Sequence, residues 1–72
     1  MVKVYVYGTH IPSDIPTHEL GPFLTEQEAR DAVAQLEGKP FAWERTKWGF
    51  MTSSRTTRWV TEVRAHLPMD KR

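Results

Sequence analysis

The chain has 72 residues, of which 39% are hydrophobic, 26% charged and 11% aromatic, with a net charge of +1 and no cysteine. Disulfides, thiolate metal sites and cysteine nucleophiles are excluded, and no apolar run approaches the ~20 residues of a membrane-spanning helix. A chain this short hides only about 60% of its unfolded surface, so its core is thin.

The balance of charge conceals a division. Residues 1–38 hold two basic and six acidic side chains, net −4, whereas residues 39–72 hold eight basic and three acidic, net +5. Such asymmetry fits a basic face for nucleic acid or complementary faces that meet between chains, and equally two solvated blocks of charge.

In chain order, Val2, Val4 and Val6 alternate with Lys3, Tyr5 and Tyr7, which predicts a strand ended by Gly8. Residues 9–24 contain Pro12, Pro16, Gly21 and Pro22 and read as a long proline-containing loop. Thr25 and Glu28 then have the spacing of a capping box, in which hydroxyl and carboxylate satisfy free amides of the first helical turn. Ala29, Ala32, Val33 and Leu36 recur at helical spacing, Gly38 suits the left-handed position past the helix end, and Pro40 forbids continuation.

From Phe41 the pattern returns to strands, over residues 41–51 and 55–67, with Thr52-Ser53-Ser54-Arg55 as the expected turn. Pairing Met51 with Thr56 sets Trp48 opposite Trp59, and leaves Glu44 as the misfit on an otherwise apolar face. A turn at Thr46-Lys47-Trp48-Gly49 is the alternative. The expected fold is therefore α+β: a single β-α-β-β domain over residues 1–72, with a three-stranded, mainly antiparallel sheet and one helix on one face. Residues 68–72 form a flexible tail in this reading. Its core comprises Val2, Val4, Val6, Ala29, Val33, Leu36, Trp48, Phe50, Trp59 and Val63.

The opposite sheet face would carry Lys3 together with Tyr5, Tyr7, Trp43, Arg45, Lys47, Arg58 and Arg64, the last seven forming the candidate interaction face. Tyrosine, tryptophan and arginine dominate the energies of protein interfaces, and an open sheet also exposes edge strands. The expectation is a cytoplasmic, non-enzymatic interaction module whose partner is another protein or a second copy of itself. Binding of nucleic acid through the basic hairpin is the alternative, weakened by a pI near 8.2. Such economy is also found in small phage-encoded accessory proteins.

Catalytic chemistry finds little support. His10, Asp14 and His18 are spaced by four, but Pro12 and Pro16 preclude the helix that would align them as metal ligands. Ser13, Ser53 and Ser54 lie in no nucleophile elbow, and the four glycines stand singly rather than in a phosphate-binding loop. No cofactor or metal is expected.

Overall fold

The structure is a computed structural model that describes residues 2–65, with side chains for residues 3–64. Strands β1 (Val2–His10) and β2 (Ile15–Phe23) are followed by helix α1 (Glu26–Glu37), then β3 (Glu44–Arg45), β4 (Phe50–Ser53) and β5 (Thr57–Ala65). All pairings are antiparallel, and the strands form one sheet in the order β2-β1-β5-β4-β3. The expected three-stranded β-α-β-β sheet is thus corrected to a five-stranded sheet with one helix among the described residues. The expected tail at 68–72 lies outside the described residues.

One added strand comes from the segment expected to be a loop, residues 9–24. Its prolines are compatible with β2 because that strand sits at the sheet edge, where an amide is not required on both sides. The β1–β2 register shifts twice, between Val4 and Val6 and between Gly8 and Thr9, and these irregularities absorb the residues around Gly21-Pro22 and Thr17. Asp14 turns the chain with φ 59, a left-handed conformation that aspartate tolerates. Gly8 is therefore interior to β1, not its terminator.

The other added strand arises because both candidate turns form. At the first, the Thr46 amide donates to the Gly49 carbonyl at 2.8 Å, and the Thr46 hydroxyl accepts from the amides of Trp48 and Gly49. At the second, the Ser54 amide donates to the Thr57 carbonyl at 2.7 Å. Met51 consequently pairs with Val60 and Thr52 with Trp59, in place of Met51 with Thr56 and Trp48 with Trp59. The displacement is even, so Phe50 keeps the face shared with Trp59.

Thr61 explains why this register is favoured. Its buried hydroxyl accepts the Phe50 amide at 2.8 Å and donates to Glu26 Oε1 at 2.9 Å, satisfying a polar group that would be costly unpaired. Gly49 passes so close that a Cβ there would lie 2.5 Å from the Thr61 hydroxyl. Only a residue without a side chain fits beside it.

Helix α1 has the expected ends. The Thr25 hydroxyl accepts the Glu28 amide at 3.1 Å, although the Glu28 carboxylate takes the Leu24 amide rather than that of Thr25. Gly38 is left-handed at φ 81 and returns its amide to the Ala34 carbonyl. The buried core consists of Val4, Val6, Ala29, Val33 and Trp59, with Leu20, Phe23, Phe41 and Trp43 packed around it.

Three expected core residues are exposed: Leu36, Trp48 and Val63. α1 turns toward the sheet a stripe of Glu26, Ala29, Arg30, Val33 and Glu37, which rotates Leu36 outward. Trp48 sits at the tip of the 46–49 turn, 64% exposed, and Val63 lies past the start of the helix, where Glu26 meets Thr61. The side chain of Val2 lies outside the described residues.

Trp59 is 1% exposed and fills the space above Gly8, where an added Cβ would stand 2.7 Å from its ring. Trp59→Ala should destabilise the fold by about 3–5 kcal/mol, and Gly8→Ala by about 1–3 kcal/mol through overpacking. Thermal unfolding followed by circular dichroism checks both. A Trp59→Ala melt within a few degrees of wild type would refute this packing.

Candidate interaction face

Strand alternation sends Val4, Val6 and Gly8 toward α1 and leaves Lys3, Tyr5, Tyr7 and Thr9 on the opposite face of β1. Across the β1–β5 ladder these residues stand beside Arg64, Glu62, Val60 and Arg58 in that order. On the far side of β1, Glu19 lies beside Tyr7; on the far side of β5, Met51 lies beside Val60 and Ser53 beside Arg58. Glu44 extends the row beyond Met51. Among the described residues the single helix lies on the other side of the sheet, so this face is open.

Its centre is an aromatic pair under a cation. The rings of Tyr5 and Tyr7 are 6.5 Å apart and nearly parallel, as two same-face positions on one strand require. The Arg64 guanidinium lies 4.9 Å from the Tyr5 ring centroid and 5.6 Å from that of Tyr7. Its Nε also lies 3.7 Å from Glu62 Oε1. Each cation–π contact at an exposed site contributes about 0.5–1 kcal/mol, enough to bias the arginine toward lying flat on the rings. Tyr and Arg so placed present flat, rotamer-restricted surface with polar edges.

The Tyr7 hydroxyl is buried without a hydrogen-bond partner among the described residues. Burial raises its pKa above the ordinary 10.0; the Arg64 cation opposes this, while Glu62, Glu19 and Tyr5 reinforce it.

Of the seven expected face residues, Tyr5, Tyr7 and Arg64 come together. Arg58 shares their face but lies at the other end, where its guanidinium pairs with Asp14 at 3.2 Å. Trp43 and Arg45 do not belong to the face. The 46–49 turn reverses the chain between β3 and β4, so Arg45 pairs with Phe50 and lies 5.6 Å from its ring, on the helix side. Trp43 packs edge-on against Phe41, beside α1. The same reversal moves the misfit Glu44 onto the open face opposite Met51. Lys47 is in the turn itself, 5.4 Å from the Trp48 ring.

Sequence reasoning missed Glu19, Val60 and Met51. Alternation alone sends Val60 and Met51 to this face and the corrected register sets them side by side, whereas Glu19 comes with β2. The turn residues Ser13-Asp14 between apolar Ile11 and Ile15 were the available signal for that hairpin.

His10 at the end of β1 and His18 in β2 have separate engagements. His10 Nδ1 lies 2.7 Å from the Ser13 hydroxyl, and the His18 ring packs 5.0 Å from Trp59 on the helix side. Among the described residues no three histidine, cysteine, aspartate or glutamate side chains converge. No described helix is long and apolar enough to cross a membrane.

No protein-family model, characterised protein or solved structure matches the chain.

Because the Tyr7 hydroxyl is buried unpaired, Tyr7→Phe should leave the melting temperature unchanged or raise it. The raised pKa has a definite sign: its contribution is fully present below the unfolded value near 10, and is lost as pH rises through the higher folded value. Wild type should therefore lose stability more steeply above about pH 10 than Tyr7→Phe does. Denaturant melts of both proteins across that range check this, and equal slopes would contradict it.

Proposed function

We propose that this protein is a small, non-enzymatic interaction module that binds a protein surface through its open sheet face. The observation that carries this reading is the Tyr5–Tyr7 pair beneath Arg64, placed where the helix does not cover the sheet. Both tyrosines are partly exposed, and aromatic area bordered by charge is a usual composition of a contact surface, with tyrosine and arginine among its frequent anchors. Val60 and Met51 extend the apolar strip beside Tyr7.

The sheet edges favour the face over strand addition. β2 carries Pro16 and Pro22 with two register shifts, and β3 is only two residues long. Both features blunt an edge against pairing with another strand.

Charge placement favours protein over nucleic acid. Glu19, Glu44 and Glu62 share the face with Lys3, Arg58 and Arg64, so a phosphate backbone would meet three carboxylates among three cations. Of Lys47, Arg55, Arg58 and Arg64, on which the basic-hairpin alternative rests, Lys47 lies in the 46–49 turn against Trp48, and Arg58 is paired with Asp14.

The test is capture from extract with immobilised wild type and with Tyr5→Ala and Tyr7→Ala, beside titration of labelled single- and double-stranded oligonucleotides. Each tyrosine substitution should weaken capture of protein at least tenfold, the scale of an interface anchor at about 1.4 kcal/mol or more. Oligonucleotide binding at about 0.05 M salt that fades with a log–log slope near −0.7 to −0.9 per phosphate would replace this reading with the nucleic-acid one.

A further inference from the structure

The open face has a charge pattern that is complementary to itself. Its long axis runs along β1 and β5, from the pair Lys3–Arg64 at one end, where Glu62 offsets one of the two cations, to Arg58 at the other, which Asp14 partly offsets. Both ends present cations, and the Lys3–Arg64 end is the more basic. Its cross axis runs from Glu19 on β2 through Tyr7, Val60 and Met51 to Glu44 on β3, so both sides are acidic. Strands about 4.8 Å apart make this cross axis about 19 Å, and six residues at about 3.4 Å make the long axis about 20 Å. The two axes are equal.

This pattern discriminates between ways of stacking two copies face to face about a two-fold axis. An axis along the strands lays the Lys3–Arg64 end on itself and Glu19 on Glu44. An axis across the strands lays Lys3–Arg64 on Arg58 and each acidic side on itself. Both arrangements set like charges together, which opposes association. An axis along the diagonal crosses the sheets at about 90°, one of the two standard sheet packings, and sets every basic end on an acidic side. Tyr5, Tyr7, Val60 and Met51 then meet their counterparts near the centre, where interface energy concentrates.

We infer that the open face docks on the same face of a second copy of this chain, with the two sheets crossed at about 90° so that basic ends meet acidic sides. The inference rests on the interaction-face reading and names its partner. A footprint of about 20 by 20 Å buries about 800 Å² in total, below the ~1,200–2,000 Å² of stable complexes, so the dimer is weak and concentration-dependent.

Sedimentation equilibrium from about 20 μM to about 1 mM reads the association directly. Wild type should pass from 8.4 kDa toward about 17 kDa, and more weakly at about 0.5 M than at about 0.05 M salt. Arg64→Glu, Glu19→Arg and Glu44→Arg should each weaken the dimer about tenfold or more, because each sets like charges together twice. Mixing Arg64→Glu with Glu19→Arg, or with Glu44→Arg, should restore it in one of the two mixtures, since both contacts are then opposite in sign. Circular dichroism melts confirm that the variants fold, as expected for exposed positions.

A wild type that stays at 8.4 kDa throughout overturns the second-copy inference, and the face reading then stands or falls on the Tyr5→Ala and Tyr7→Ala captures. A dimer that ignores Tyr7→Arg and Arg64→Glu overturns both. A dimer weakened by the single charge reversals but restored in neither mixture overturns the crossed arrangement.

Discussion

Everything in this small structure is arranged around one cross-strand pair, Gly8 opposite Trp59. An indole needs more room than a pleated ladder leaves on a sheet face, and a glycine across the ladder supplies it. The ring then lies over Gly8 with His18 beside it, and its Nε1 donates to Glu37 Oε2 at 2.8 Å, tying the end of α1 to the sheet. At the start of the helix, Glu26 holds Thr61, two residues along the same strand. α1 is thus pinned at both ends by carboxylates bound to β5, with Ala29 and Val33 between them. The small side chain of Ala29 lets the helix approach closely, so a thin core can still be dense.

That pinning determines which surface is left open. With α1, Phe41 and Trp43 all gathered on the Trp59 side, the tyrosines of β1 can only face outward. Their apolar area is moderated locally: Arg64 lies on the rings and Glu62 balances Arg64. An arginine laid over tyrosines hides ring area from water while remaining able to move to a partner's carboxylate. The Tyr7 hydroxyl, without a partner among the described residues, is the residual cost of this arrangement.

The sequence disclosed what depends on local chemistry and concealed what depends on context. The capping threonine at 25, the left-handed glycine at 38 and the alternation that buries Val4 and Val6 of β1 act within a few residues of themselves, and each is found as read. β2 was hidden because proline is read as a strand breaker, and only its edge position makes Pro16 and Pro22 acceptable. Glycine misled in the same way: Gly8 resembles a terminator until Trp59, 51 residues later, is seen to require it. The register of β4 on β5 was obscured because its cause, the hydroxyl of Thr61 between Phe50 and Glu26, joins three separate elements.

The same division separates the legible part of the candidate face from the rest. Tyr5, Tyr7 and Arg64 owe their placement to alternation along β1 and β5, which a sequence displays directly. Trp43 and Arg45 depend on whether the chain reverses between 45 and 50, and one tight turn exchanges the two sides of everything before it. The exchange also resolves the one defect in the sequence reading: Glu44, an acid on an apolar face without the turn, becomes with it an acid on an open face beside Met51. A buried misfit was therefore a sign of a missing turn. Where an alternating strand places one charge among apolar neighbours, a reversal nearby costs less than burying that charge, and the polar face gains a residue it can use.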